Sequence, residues 1–323
     1  MKIATREAFG EALKELVIKN NDVIVLDADL SPATKTCYAK EARPQQFYST
    51  GIAEANMVGI GAGLAVQGLK PFVSSFAMFL AGRAFEQIRN SIAYPHLNVK
   101  LCATHAGLTV GEDGATHQCN EDIALMRVLP GMVVLQPCDA NETKAMMQFM
   151  VDYDGPVYLR TSRYAVDNIL DSNYKFLLGE IIPIVKGCKI AFLATGIMVN
   201  EARKAIEILA KNNIYPSLYN VSSLKPINTI QLNSIINSYD LIFTLEEHNI
   251  IGGLYSLVCE KLDKPKKIYP IAIQDTFGES GTPEELMSKY KIDADYLVKS
   301  VLEQWRNKMT SLKMIFMGWQ FSS

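Results

Sequence analysis

Val23, Ile24, Val25 and Leu26 follow one another without a polar interruption and run into Asp27, Asp29 and the breaker pair Ser31-Pro32. So short an unbroken apolar run fits a strand buried on both faces, where side chains pointing either way meet another layer. The same kind of segment returns as KPFVSSF, VKLCATH, MVVLQPCD and PVYLRTS, each separated from the next by helical periodicity. From Thr5 to Asn20, Ala8, Leu13, Leu16 and Val17 form one stripe, with Thr5 expected as N-cap. Gly51 is expected to open the next helix, with Ala53, Met57, Ile60 and Leu64 on one face. Further helices are expected over Ala77 to Ala93, Glu121 to Leu129 and Asn141 to Met150. Strands alternating with helices demand crossover connections, which imply an α/β fold with a doubly wound parallel sheet.

Asp171 to Gly187 reads as connection, punctuated by Gly179, Pro183 and Gly187. A second series then begins with KIAFLATG and alternates through YPSLYNVS, LIFTLEEH and KKIYPIAI to helices from Pro283 and Asp293. The chain of 323 residues thus divides near 180 into two doubly wound α/β domains, residues 1–175 and 185–307. The tail 308–323 fits neither period and carries Phe316, Trp319 and Phe321, which suits either a docking segment or a frayed end.

A net charge of −2 gives no electrostatic reason to expect nucleic acid or an anionic membrane as partner. No apolar run approaches the roughly 18 residues of a membrane span, and the acid-bearing N-terminus is unlike a signal peptide. A soluble, cytoplasmic protein is expected. The six cysteines contain no Cys-x-x-Cys, so they suggest reduced thiols rather than a zinc ribbon or a redox pair.

The residues with chemical potential concentrate between Leu101 and Arg127, LCATHAGLTVGEDGATHQCNEDIALMR. A strand breaks there into a loop holding His105 and His117, with Glu112 and Asp113 between them. Ligands of open α/β sheets bind at this carboxyl edge. The two histidines lack a standard zinc spacing, and no metal cage is expected. Glu54, among Gly51, Ile52, Ala53 and Ala55, lies three residues into its expected helix. The helix dipole alone can account for a carboxylate there, but one so poorly solvated could also share a proton with a ligand nitrogen. Gly59, Gly61 and Gly63 fail the dinucleotide fingerprint, since Leu64 stands where a glycine is needed and no strand precedes them. They are expected to let helix pack closely on sheet. Phe76 and Phe79 are either core or a face for a flat heteroaromatic ring. Arg6 and Arg163 are either solvated surface cations or guanidinium grips for phosphate. Gly252-Gly253, opening a helix after acids and His248, is usable for anion binding, although a tight connection explains it equally.

With these residues in hand, the chain resembles the C-terminal half of a transketolase over about residues 1 to 305. The resemblance rests on ATREAFGEAL, LDADLSPATKT, GIAEANMVGIGAGLA, FAMFLAGRAFEQIR, LATG, SSLKPIN and EEHNIIGGL. The most specific string is THAGLTVGEDGATHQ, followed by EDIALMR. It implies a pyrimidine-binding domain followed by a smaller C-terminal domain. It implies that Glu54 hydrogen-bonds the aminopyrimidine of thiamine diphosphate, with Phe76 and Phe79 in the ring's pocket and Asp29 near the cofactor. Asp113 and His117 match sugar contacts, His117 being the candidate for proton transfer. His105, Arg6 and Arg163 match positions that line the channel and hold the sugar phosphate. Ala33 stands where the family has a phosphate-binding serine. Asp113-Gly114 with Asn141 only imitates the family's metal-diphosphate motif: Glu112 and Glu142 replace the motif's leading glycine and second asparagine, and Asn141 is read as a helix N-cap. The resemblance therefore implies that Mg²⁺ and the diphosphate are held mainly by a separate N-terminal subunit, in an α₂β₂ assembly. The implied activity is transfer of a two-carbon ketol unit between sugar phosphates. A deoxyxylulose-phosphate-synthase-like enzyme and a non-catalytic subunit are the alternatives.

Overall fold

A computed structural model describes residues 2–320; beyond residue 308, the only side chain described is that of Thr310. Seven strands form the larger sheet. In spatial order they are Ser223–Lys225, Val133–Leu135, Val157–Arg160, Lys100–Thr104, Lys70–Phe76, Val23–Asp27 and Phe47–Ser49. All pair in parallel except Ser223–Lys225, which adds antiparallel to Val133–Leu135. Val23–Asp27 is buried along its whole length, as its unbroken apolar run requires. The second sheet runs Ile268–Ile273, Leu241–Asn249, Ile190–Ala194, Ser217–Asn220, Ile182–Val185, with only the last strand antiparallel.

Several local expectations are corrected. Ile182–Val185 is a strand inside the stretch read as connection. Ser223–Lys225 is an edge strand that leaves the second series to join the first sheet. Lys2–Ala4 and Ala165–Asp167 pair as a separate small ribbon. Thr5 begins its helix but does not cap it; its hydroxyl accepts from the Ser162 N–H at 2.8 Å, tying the first helix to the Arg160–Arg163 loop. The helix after Gly51 begins only at Glu54, because Gly51 turns the chain at φ 68° and Ala53 remains outside helical geometry. The cap before Ala140–Asp152 is Asp139, whose carboxylate accepts from Glu142 N–H at 2.8 Å; Asn141 instead donates to the Leu170 carbonyl. The expected regular helix over Ala77 to Ala93 is wound in π turns at Met78–Arg83 and Ile88–Ala93, flanking a short α-helical piece, Phe85–Gln87.

Of the three glycines in the Glu54–Val66 helix, only Gly61 serves close packing: a Cβ there would lie 2.8 Å from Val73. Gly59 and Gly63 face open space. The last helix, Ala294–Gln320, runs on through most of the expected tail. The side chains of Phe316 and Trp319, and all of Phe321, lie outside the described residues.

Candidate active site

The carboxyl edge of the large sheet gathers most of the candidate residues because they lie in the loops and helix starts that follow its parallel strands; Arg6 comes in from the start of the first helix. After Val23–Asp27 the buried carboxylate of Asp27 accepts from Leu30 N–H at 2.6 Å and from the Thr34 and Thr36 hydroxyls at 2.7 and 2.9 Å. Burial raises its pKa, and these bonds oppose the rise. Asp27 thereby folds the following loop, in which Asp29 is exposed in the left-handed region (φ 64°). In the same loop the Ala33 carbonyl accepts from Arg6 Nη1 at 2.9 Å.

Glu54 is the first residue of its helix rather than three residues in, with its carboxylate at the positive end of the dipole and the residue only 3% exposed. Arg83 Nη1 lies 3.3 Å from each of its oxygens. The guanidinium carbon of Arg83 sits 4.2 Å from the centroid of the Phe79 ring.

Four aromatic rings form a row along this edge. The ring of His105 stacks on Phe76 at 3.8 Å, Phe76 lies nearly parallel to Phe79 (5.8 Å, 13°), and Phe79 meets His117 edge to face at 5.2 Å. His105 occupies the left-handed region (φ 57°) at the end of Lys100–Thr104. Arg6 Nη1 approaches its Nε2 at 2.8 Å, and Thr104 Oγ1 lies 2.8 Å from Nδ1. A guanidinium can only donate, so Nε2 accepts and the ring proton resides on Nδ1. Burial first, then the charges of Arg6 and Arg163, hold the His105 pKa down to about 3, so the ring is neutral.

Arg163, just beyond Val157–Arg160, donates to the Val110 carbonyl at 2.8 Å. It stands 3.5 Å from Asp113 and 3.8 Å from Glu112. All three side chains are partly exposed, so these pairs are weakly held and can yield to an incoming anion.

The loop from Gly107 to Gln118 is held from below by the second sheet. Glu247 Oε1 accepts from Thr109 N–H at 2.6 Å. Its carboxylate fills the space where a Cβ on Gly107 (φ 84°) would lie, only 2.3 Å away. Gln118 Nε2 donates to the carbonyls of Leu108, Gly111 and Glu279 at 3.2, 3.3 and 2.9 Å. Arg160, fully buried, donates from Nε to both oxygens of Asp122 and from Nη2 to the carbonyls of Cys119 and Glu247. Tyr158 donates to Asp122 at 2.8 Å. Burial pushes Glu246 and Glu247 up to about 7 and His248 down to about 4. The helix start after Gly252-Gly253 is already satisfied: Glu246 accepts from the N–H groups of Leu254 and Tyr255. The place read as usable for an anion is therefore filled by the chain's own carboxylate.

The structure thus brings Arg6, His105, Phe76, Phe79, His117 and Glu54 into one continuous chain of contacts through Arg83, with Arg163 and Asp113 paired beside them. Asp27, Arg83, Gln118 and Glu247 were not among the expected residues. Their strings, LDADL, FLAGR, ATHQ and EEH, are visible in the sequence, but their roles depend on contacts between distant segments. Among the described residues no group of three or more His, Cys, Asp or Glu comes together as a metal site. Among the same residues no helix is long and apolar enough to cross a membrane.

Comparison with known proteins gives the family. Residues 1–168 match the family described as "Transketolase, pyrimidine binding domain", and residues 179–297 match "Transketolase, C-terminal domain". A Methanocaldococcus jannaschii protein named as a transketolase C-terminal section is 43% identical over 308 residues, covering 94% of this chain and 96% of that protein. One of the subunits of the apulose-4-phosphate transketolase of Phocaeicola vulgatus is 35% identical, covering 93% of this chain and 97% of that protein. A solved structure described as a split-gene transketolase, inactive β4 tetramer, is 42% identical with a TM-score of 0.85, covering 94% of this chain and 98% of that one.

Proposed function

The chain belongs to the transketolase family, and from its site we infer that it is the C-terminal subunit of a split, thiamine-diphosphate-dependent transketolase. One observation carries the reading: a desolvated carboxylate, Glu54, opens a helix and shares the Arg83 guanidinium with the half-buried Phe79 ring, which meets the His117 ring at 5.2 Å. The pyrimidine end of thiamine diphosphate fits these groups, because an aminopyrimidine offers a ring nitrogen to a carboxylate and a flat face to an aromatic ring. When bound, the cofactor supplies the carbon nucleophile that accepts a two-carbon ketol unit from a ketose phosphate and passes it to an aldose.

We assign the chain's own residues their roles from the family resemblance together with their neighbours. Glu54 holds the ring nitrogen and shares its proton. Phe76 and Phe79 fix the ring plane, and Asp29 borders the cofactor. His117, half-buried beside Phe79, moves protons at the sugar, and Asp113 orients the sugar hydroxyls. Arg6, Arg163 and His105 receive the phosphate end. His105 is neutral with Nε2 facing Arg6, so it positions that guanidinium rather than adding a second charge. Ala33 offers no hydroxyl, and its carbonyl is already engaged by Arg6, which shifts the phosphate grip onto the two arginines.

Mg²⁺ and the diphosphate belong to a separate N-terminal subunit in an α₂β₂ assembly. Two observations support this. The solved relative is an inactive tetramer of β chains. In this chain, Asn56, Gly59, Ile60, Gly63 and Val66 leave a small-residue and apolar face of the Glu54–Val66 helix uncovered, with Ile52 exposed just before it, of the kind that assembly buries.

The test is Glu54→Gln assayed with the partner subunit, thiamine diphosphate and Mg²⁺. Ketol transfer from xylulose 5-phosphate should fall by roughly 100-fold or more, as for loss of a general acid–base group. Strong residual activity removes Glu54 from the mechanism and favours a non-catalytic subunit. Turnover of pyruvate in place of the ketose favours synthase chemistry. Full activity of the chain alone with the cofactor and Mg²⁺ refutes the split arrangement.

A further inference from the structure

Arg83 bridges the two residues that the proposed function gives to the flat cofactor ring. Its Nη1 bridges both Glu54 oxygens at 3.3 Å, and its guanidinium plane carbon lies 4.2 Å from the Phe79 centroid. A guanidinium is planar, donates hydrogen bonds in its plane and stacks on aromatic faces. Those are the contacts an aminopyrimidine would make with the same two residues. The two partners differ in freedom: the Arg83 side chain is 51% exposed, whereas that of Glu54 is 3% exposed. Arg83 can therefore leave towards solvent, while Glu54 stays where its helix holds it. Arg83 closes the π-wound turn Met78–Arg83, and Gly82 beside it is exposed.

We propose that Arg83 is a built-in placeholder for the aminopyrimidine ring: it neutralises the buried Glu54 in the cofactor-free subunit and is displaced when the ring binds. The proposal rests on the thiamine reading above. A buried carboxylate left without a counter-ion is strongly destabilising, so Glu54 needs a partner whenever no ligand ring is bound to it. A ring that takes both the carboxylate and the Phe79 face has to displace that partner, and the displacement lowers its apparent affinity. Arg83 is thus a positioning residue that sets the affinity for cofactor against the integrity of the empty site.

Two measurements test this on the full chain. In the complex with the N-terminal subunit and Mg²⁺, Arg83→Met should bind thiamine diphosphate about fivefold or more tightly by calorimetry. Its cofactor KM should fall in step. Arg83→Lys, which keeps the charge without the flat stacking group, should fall between. In the free chain, phenylglyoxal should modify Arg83 several-fold faster in Glu54→Gln than in the wild type, as read by mass spectrometry. In the wild-type complex, adding thiamine diphosphate should likewise speed modification at Arg83. Unchanged or weaker cofactor binding in Arg83→Met, or protection of Arg83 by the cofactor, overturns the proposal. Absence of thiamine diphosphate binding in both the wild type and the variant removes the thiamine reading and the proposal together. Wild-type binding without the Arg83 effects removes the proposal alone.

Discussion

Arg6 Nη1 sits 2.8 Å from His105 Nε2, and this single contact decides which nitrogen of the imidazole carries its proton. The two residues are far apart in the chain and meet because the first turn of the first helix is tied to Ser162, through Arg6 N–H to its carbonyl and its own N–H to the Thr5 hydroxyl. In Arg6→Met, His105 loses the donor that enforces its Nδ1–H tautomer. Its pKa should climb from about 3 but stay below the ordinary histidine value, because burial is the larger cause of the depression. Histidine ¹⁵N shifts read both effects. In the assembled enzyme, KM for a phosphorylated acceptor should rise roughly tenfold or more with a smaller change in kcat, as for loss of one charge-assisted hydrogen bond. An unchanged KM would place the phosphate elsewhere.

Gly107→Ala puts a methyl group 2.3 Å from the Glu247 carboxyl carbon at a backbone position with φ 84°. That backbone geometry, with ψ −171°, is essentially restricted to glycine and costs any other residue about 1–3 kcal/mol, and the overlap adds to it. Urea unfolding should show a loss of at least about 2 kcal/mol. Adding Glu247→Ala should recover the steric share and leave the backbone share, so the two changes should be non-additive. Simple additivity would mean that the close approach is not what requires the glycine.

Asp122→Asn removes the charge that balances the fully buried Arg160. Breaking a buried pair on one side costs about 3–5 kcal/mol, so the urea midpoint should fall sharply. Because Arg160 also ties Cys119 to Glu247, amide exchange should quicken in the Gly107–Gln118 loop. A loss under about 1 kcal/mol, with the loop still protected, would remove this ion pair from the support of the site.

The pH dependence of stability has two opposed parts. Glu246 and Glu247 are pushed up to about 7 from 4.5, so the folded state holds their protons more tightly. The stability they contribute is complete below about pH 4.5 and is lost as pH rises through 7. His105 and His248 are held down to about 3 and 4 from 6.5, so their contribution is complete above pH 6.5 and is lost as pH falls towards those values. Glu247→Gln should remove one share of the first loss, on the order of 3 kcal/mol between pH 4.5 and 8, and leave the acid limb alone. Thermal melts across that range check it; an unchanged alkaline limb would mean that Glu247 does not titrate in the window.

Most strands of both sheets were legible because a strand buried on two faces must be apolar without interruption, as Val23 to Leu26 and Ile190 to Ala194 are; Phe47–Ser49, Ile182–Val185 and Ser223–Lys225 were not. The candidate residues were legible because ligand groups cluster at the carboxyl edge of such a sheet, and His105, Phe79 and Glu54 fall there. Helix starts were less legible. Thr5 and Asn141 are good capping types, but Thr5 is taken up by Ser162 and Asn141 by Leu170, and the caps fall to Ala4 and Asp139. Arg83 was hidden because nothing in FLAGR announces a partner 29 residues away. Glu247 was hidden for the same reason at greater range, since its meaning comes from Gly107 and Thr109 in a loop that follows a strand of the other sheet. The strand Ser223–Lys225 escaped notice because its length is too short for a pattern and its partner belongs to the other half of the chain.

That borrowed strand has a consequence for any attempt to dissect the protein. A fragment ending near residue 170 would keep every loop that carries the candidate site but would lose the strip of backbone that seals Val133–Leu135. Its outermost strand would then present unpaired N–H and C=O groups along an apolar edge, an invitation to pair with the same edge of another molecule. The first half is in this sense not a separable module: its border is closed by chain that travels out to the second half and comes back.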